Sequence, residues 1–352
     1  MKNFLIYGSY GYTGSLIVEQ AVKAGLKPLL AGRDEKLLRA QAARAKFGLE
    51  YRAFSIEDSA ALDSALLEVD AVLHCAGPFV LTFRQMAEAC IRTKRHYVDI
   101  SGEIEGFEAL AAMDEEAKRA GVMLLPGGGF DVVPSDCLIA YTAKKLPSAT
   151  HLELYIKSIG SGVSRGTARS GIENSHRQGR IRRDGKIISV PNVWGIKDVD
   201  FGRGITRLVS IGWGDVSTAY HSTGIPNVTV YMGFPAAMVN MLRLTRFTGA
   251  LLYTRAARDF IKWIIGKFFA PGPSRKQNEN GFSLLIAEVS DGKQTVRAKM
   301  RTPEGYYLTA LTSVEIMKRI LSSDYKIGFQ TPSRVYGVDF ILQFKNVERM
   351  DL

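Results

Sequence analysis

The sequence predicts an α/β protein: a doubly wound, parallel Rossmann sheet, then a second α+β domain with a mostly antiparallel sheet. Three observations predict it. The first 150 residues alternate short apolar runs with longer segments of helical spacing. A glycine-rich run follows the first apolar segment directly. After Leu146 the alternation stops, and strand-like runs follow one another with no regular helix between them.

In the first part, the apolar runs 4–7, 28–31, 51–54, 71–74, 97–100 and 122–125 have the length of buried strands. Segments 13–24, 35–47, 59–67, 83–93 and 104–120 have helical spacing; in the first of them Leu16, Ile17, Ala21 and Val22 fall on one side. Strand and helix in alternation give a parallel sheet covered on both faces, and right-handed crossovers make it doubly wound. In the second part, 151–158, 204–211, 216–222 and 227–232 read as strands, and Ser290-Asp291-Gly292-Lys293 reads as a hairpin turn. Segment 235–269 is helical in character and stops at Pro271-Gly272-Pro273. The expected domains are 1–149 and 150–325.

A chain of 352 residues is long for one domain and comfortable for two. Its 46% hydrophobic and 23% charged residues are ordinary for a folded protein, which excludes disorder as the starting point. The net charge of +11 can attract nucleic acid, anionic lipid or a phosphorylated ligand. No zinc-finger spacing or RNP-like motif supports nucleic acid, so no nucleic-acid partner is expected. Cys75, Cys90 and Cys137 are odd in number and widely spaced, which argues against a disulfide framework and a zinc site. No metal is expected. The opening run Met1-Lys2-Asn3-Phe4-Leu5-Ile6-Tyr7-Gly8 looks like a strand and not a signal peptide, and no apolar stretch has spanning length. A cytoplasmic location is the expectation.

Strand one runs straight into Gly8-Ser9-Tyr10-Gly11-Tyr12-Thr13-Gly14, and a helix follows. Glycine permits the tight turn and lets backbone N–H groups approach a pyrophosphate, while the helix points its positive end at the anion. Strand two ends in Ala31-Gly32-Arg33. An acidic residue there would accept from the ribose 2′-hydroxyl of NAD, whereas a guanidinium grips a 2′-phosphate. The cofactor expected is NADP(H), with Gly32 and Arg33 choosing it.

Several further segments carry a resemblance: Cys75-Ala76-Gly77-Pro78-Phe79, Tyr97 to Glu103, Gly129 to Asp136, Ser164 to Ser170 and Gln330-Thr331-Pro332-Ser333. With the glycine loop and Arg33, they make the chain resemble the saccharopine dehydrogenase-like oxidoreductases, in particular the branch of trans-acting enoyl reductases. The resemblance implies a Rossmann domain, an inserted α+β substrate domain, and a C-terminal segment, 326–352, that packs back on the first domain. It implies that Gly8–Gly14, Arg33 and Cys75–Phe79 line the NADP site. Members act on amino acids, polyamines and acyl chains; in the enoyl-reductase branch, hydride goes to a carbon–carbon double bond of a polyketide or fatty-acyl intermediate.

Ligands of a doubly wound sheet sit beyond the carboxyl ends of its strands. The loop Cys75–Phe79 after strand four therefore borders the nicotinamide ribose, with Cys75 as a small packing residue and Phe79 as a shield. Ser101 and Gly102 join the cofactor rim after strand five. Asp99, Glu103 and Asp131 bring carboxylates to the same edge, where one could relay a proton. Ser135 and Asp136 follow Pro134 at a helix start, where N-capping competes with catalysis. Glu103, Asp131, Ser135 and His221, the last placed on the strand 216–222, are the catalytic candidates. Ser164–Ser170 reads as a loop opening a helix that can hold an anionic or carbonyl group.

Tyr141 and Lys145 fit the Y-x-x-x-K pair of short-chain dehydrogenases, a competing signature that chance also produces. Segment 235–269, with Arg243, Arg246, Arg255, Arg258, Lys262 and Lys267 beside Trp263 and Phe268, can lie on a membrane surface or pack on protein, a second copy included. The reading that follows is an NADPH-dependent reductase of an acyl, polyketide or lipid-like substrate. The alternatives are an NADP(H)-binding redox sensor or scaffold without turnover, and a peripheral membrane protein.

Overall fold

In the computed structural model, residues 2–45, 48–174, 179–234, 239–240, 254–268 and 270–352 are described. The chain divides into two compact units. Residues 1–133 with 306–335 form the first, and residues 134–305 with 336–352 form the second.

The first unit contains β1 (Phe4–Tyr7), α1 (Tyr12–Lys23), β2 (Leu29–Gly32), α2 (Glu35–Arg44), β3 (Tyr51–Ala53), α3 (Ser59–Leu67) and β4 (Ala71–His74). It continues with α4 (Phe83–Thr93), β5 (His96–Asp99), α5 (Ile104–Ala112), α6 (Asp114–Ala120) and β6 (Met123–Leu125). A late strand, Gly328–Phe329, pairs parallel with β6, giving the sheet order Gly328–Phe329, β6, β5, β4, β1, β2, β3. Every pairing in this sheet is parallel. Order reverses between β1 and β4, so the glycine loop after β1 opens at the switch point. β1, β2 and β4 are buried along their whole length, as strands covered on both faces must be. The predicted helix 104–120 is broken at Met113 into α5 and α6.

The second unit begins in α7 (Val133–Lys144) and holds β7 (His151–Ile159), α8 (Arg165–Asn174), β8 (Gly179–Arg183), β9 (Lys186–Val190), β10 (Ile196–Asp200), β11 (Ile205–Ile211), α9 (Asp215–Thr223), β12 (Asn227–Met232), β13 (Phe282–Ser290) and β14 (Thr295–Pro303). Its sheet runs β10, β11, β12, β7, β13, β14 and then Glu348–Asp351, with β8 and β9 branching from β12. Only the β12–β7 pairing of the main path is parallel. The Asp291-Gly292 turn joins β13 and β14 in register from Ser290↔Thr295 to Phe282↔Pro303.

Three differences from the sequence reading have physical reasons. Segment 216–222 is the helix α9 and not a strand: Val216 and Ala219 are buried three apart, and Gly224 closes the helix at φ 76° with its N–H on Tyr220 O. The helix Gly305–Leu321 belongs to the first unit, where its hydroxyls brace the loop after β6. Of 326–352, Gly328–Phe329 joins the first sheet, while Glu348–Asp351 pairs with β14 in the second. In 235–269, the helix Arg255–Phe268 is described; Arg243, Arg246 and their neighbours lie outside the described residues.

Candidate functional site

The glycine loop is shaped by close approaches that no side chain would survive. Gly8 has φ 84°, and a Cβ on it would lie 2.9 Å from Ala76 N. One on Gly14 would lie 2.4 Å from Gly8 O. Gly8 N donates to Ala31 O at 2.8 Å, and Gly11 N to Gly8 O at 3.1 Å, which folds the loop onto the ends of β1 and β2. Gly11 is the N-cap of α1 and offers no side-chain acceptor. The N–H groups of Tyr12, Thr13 and Gly14 fall in the first turn, where no intrahelical carbonyl can reach them. Ser9 is buried, and its side chain and carbonyl both bond to Gln41 at 2.8 Å, latching the loop to α2. Tyr12 meets Tyr306 edge-on at 5.3 Å.

At the end of β2, Gly32 lies under the ring of Tyr10: a Cβ there would be 2.5 Å from Tyr10 Cε1. The Tyr10 hydroxyl accepts from Arg33 N at 3.2 Å and Asp34 N at 3.3 Å. Arg33 is exposed, and its guanidinium has no ion pair among the described residues. Asp34 caps α2 through Leu37 N at 3.0 Å.

The β4 loop is held from two sides. Glu103 accepts from Phe79 N at 3.1 Å and Val80 N at 2.6 Å, so both its oxygens fasten the turn that follows the cis peptide Gly77–Pro78. On the other side His74 Nε2 meets Thr82 Oγ1 at 2.8 Å, and Thr82 Oγ1 donates to Ala76 O at 2.9 Å. With the hydroxyl proton committed to Ala76, the imidazole is the donor. His74 is fully buried, and burial pushes it down to about 3, so it stays neutral. Phe79 packs edge-on against it at 5.4 Å. Burial pushes the Cys75 thiol well up, which makes Cys75 a packing residue and not a nucleophile.

Asp99, buried at the end of β5, organises the adjacent loops. It accepts from Tyr97 OH at 2.6 Å, Ser101 N at 2.9 Å and Gly127 N at 2.8 Å. Burial still outweighs these bonds and pushes its carboxyl up to about 6. Ser101 Oγ accepts from Glu103 N at 2.9 Å, which aims Glu103 at the β4 loop. The run Gly127-Gly128-Gly129 then turns the chain back toward this rim. Thr312 Oγ1 donates to Gly128 O at 2.9 Å, and Thr309 Oγ1 accepts from Phe130 N at 2.9 Å. Asp131 is thereby laid across Gly102, where a Cβ would lie 2.9 Å from Asp131 Oδ2. Burial, with the charge of Glu103 added, pushes the Asp131 carboxyl up to about 7.

The structure thus gathers Glu103, Asp131, Ser101, Gly102 and the β4 loop at one sheet edge. Ser135 and His221 belong to the second unit. Ser135 is buried in the first turn of α7, next to Asp136, which accepts from Ser222 Oγ. His221 sits on α9, beside Tyr220, a correction to its expected strand position. Ser164 caps α8 through Thr167 N at 3.1 Å. Tyr141 OH donates to Asp351 at 3.1 Å and Lys145 pairs with the same carboxylate at 2.5 Å, so this pair ties α7 to the strand Glu348–Asp351. His74, Asp99 as a brace, Thr82, Thr309 and Thr312 were not picked out in the sequence. Among the described residues, no three His, Cys, Asp or Glu side chains are grouped as a metal site needs, and no helix is long and apolar enough to cross a membrane.

The family model of the saccharopine dehydrogenase NADP-binding domain matches residues 4–125, which hold the glycine loop, Arg33 and the β4 loop. Over these residues the chain is similar to that family's cofactor domain. Its cofactor is NADP(H). A saccharopine dehydrogenase-like oxidoreductase of Bos taurus is 28% identical over 218 residues, 54% of this chain and 51% of that protein. A Mycobacterium tuberculosis protein named as a trans-acting enoyl reductase is 28% identical over 184 residues, 49% of this chain and 43% of that one. The chain spans about half the length of the curated relatives it matches. Among solved structures, the L-Glu-forming saccharopine dehydrogenase of Saccharomyces cerevisiae matches with TM-score 0.64 at 14% identity, covering 100% of both chains. Homospermidine synthase of Legionella pneumophila matches with TM-score 0.63 at 11% identity, covering 100% of this chain and 91% of the other. At such identities they speak for the shared fold.

The saccharopine dehydrogenase-like fold gives one stability prediction. The folded carboxyl of Asp131, at about 7, lies above the roughly 3.9 of an unfolded aspartate. The native state therefore holds the extra proton between these values, and stability falls as pH rises from about 4 through 7. Asp131→Asn removes this loss. Thermal melts should show the variant more stable than wild type at pH 8 and the gap closing toward pH 4. An equal gap at both pH values would contradict the titration.

Proposed function

We propose that this chain is an NADPH-dependent reductase that adds a hydride and a proton across a polarised double bond, with Asp131 as proton donor. The observation that carries the reading is the placement of Asp131, laid on Gly102 beside the Glu103 that fastens the β4 loop, where desolvation and the Glu103 charge raise its carboxyl to about 7. A carboxyl that is half protonated near neutrality can both hold and release a proton.

The residues present fit the cofactor. The close approach of Gly8 to Ala76 and of Gly14 to Gly8 holds the loop tight at the start of α1, whose N-terminal end suits a pyrophosphate, and Arg33 offers an exposed cation for a 2′-phosphate. When bound, NADPH supplies a hydride. The chain itself holds the loop Cys75–Phe79 through Glu103 and Thr82. Asp131 gives up the proton that completes the reduction.

An enoyl group on an acyl, polyketide or lipid-like chain is the substrate we favour. The support is the name of the Mycobacterium tuberculosis relative, together with a lipid droplet localized protein of Caenorhabditis elegans that is 27% identical over 166 residues. The exposed, stacked pair Phe260 and Trp263 on the helix Arg255–Phe268 offers an apolar surface to such a partner. NADPH oxidation with a panel of enoyl thioesters tests the reading. Turnover with at least one, absent with the saturated thioester, is the expected result. NADPH binding without turnover on any of them would favour the sensor reading.

A further inference from the structure

The second unit carries a concentration of positive charge that the reductase reading does not use. A cavity of about 160 Å³ opens on the sheet between the β10–β11 turn and the strand Glu348–Asp351. Its wall includes Arg203, Lys299 and Arg301 against a single carboxylate, Glu348. Arg301 and Glu348 are register partners across the two strands, yet they form no ion pair. Neither Arg203, Lys299 nor Arg301 has a carboxylate within ion-pair distance among the described residues. Lys299 Nζ donates instead to the carbonyl of Phe201.

The guanidinium groups are nonetheless placed. Both rest on the ring of Phe282, Arg203 at 5.1 Å and Arg301 at 4.8 Å from its centroid. Three cations around one cavity repel each other, so an anion that enters is attracted by all three. Ring-braced guanidinium groups present paired N–H donors that match phosphate oxygens, and little side-chain freedom is left to lose on binding. The cavity is smaller than the ~300–1,000 Å³ of a site that encloses a whole small molecule. It has room for a headgroup, with the rest of the ligand outside.

We propose that Arg203, Lys299 and Arg301 form an anion site that binds the phosphate group of a phosphorylated ligand, separate from the glycine loop. The assignment does not depend on the reductase reading.

The test is titration calorimetry of pyrophosphate into the NADP-saturated protein, so that the glycine loop and Arg33 are already occupied. One additional site with a dissociation constant of about 1 mM or tighter is expected. Arg301→Gln, and Arg203→Ala with it, should weaken it at least about tenfold. Glu348→Gln should tighten it. Retained NADP binding shows that each variant is folded. Sedimentation with vesicles of phosphatidylcholine and phosphatidic acid separates the sources: binding that the same arginine variants reduce assigns the phosphate to a lipid headgroup, and its absence assigns it to a soluble ligand. No pyrophosphate binding up to about 10 mM, or binding that the arginine variants leave intact, would overturn the site.

Discussion

Arg33→Ala is expected to weaken NADPH binding by about 10- to 150-fold and to leave NADH affinity nearly unchanged. The glycine loop cannot discriminate, because both dinucleotides present the same pyrophosphate. Discrimination falls to the end of β2, where the Arg33 guanidinium is exposed and free of any ion pair among the described residues. A charge-assisted hydrogen bond there contributes about 1.5–3 kcal/mol. Tyr10 changes what the reverse design needs. Gly32→Asp would offer NADH a ribose partner, but its Cβ would fall 2.5 Å from the Tyr10 ring. That ring holds the Arg33 and Asp34 amides through its hydroxyl. Gly32→Asp alone should therefore weaken both cofactors, and NADH should gain only when Tyr10→Ser opens the space. Dissociation constants for both cofactors with the three variants decide it. Equal weakening of NADPH and NADH by Arg33→Ala would remove Arg33 from cofactor choice.

The first sheet was legible because buried parallel strands are short, apolar and separated by amphipathic helices, a pattern that local sequence carries in full. The glycine loop was legible because only glycine tolerates the contacts of Gly8 and Gly14, so the geometry is written in the residue type. The second unit was less legible. Val216-Ser217-Thr218-Ala219 has the β-branched content of a strand, and what makes it helical is burial of Val216 with Ala219, a tertiary fact. The hairpin β8–β9 does carry a local signal in Asp184-Gly185, both at positive φ, between two runs of strand type. The bracing of the rim was hidden for a different reason. Thr309 and Thr312 act on Gly128 and Phe130 from roughly 180 positions along the chain, and no spacing rule reaches that far. His74 looks like an ordinary polar end to a strand until the fold buries it against Thr82.

Asp131→Asn is expected to lower turnover by about 10²–10⁴-fold with NADPH affinity little changed, the usual loss when a general acid is removed. Asn keeps the volume and the contact with Gly102 but has no proton of suitable pKa to give. The wild-type pH profile should carry the same signature. The acid form of Asp131 is the donor, so reduction should be at its plateau below about 7 and fall as pH rises through that value. Glu103→Gln supplies an independent check, because the Glu103 charge is one of the two causes that raise Asp131. Removing that charge should move the break in the profile to lower pH. It should also cost some turnover, since a glutamine side chain can accept from Phe79 N or Val80 N through one oxygen only. The two variants thus differ in kind: one loses the break, the other shifts it. Steady-state rates from pH 5 to 9 with a substrate that turns over distinguish them. An unaltered break in Asp131→Asn would mean that another group supplies the proton, and an unshifted break in Glu103→Gln would mean that burial alone sets it.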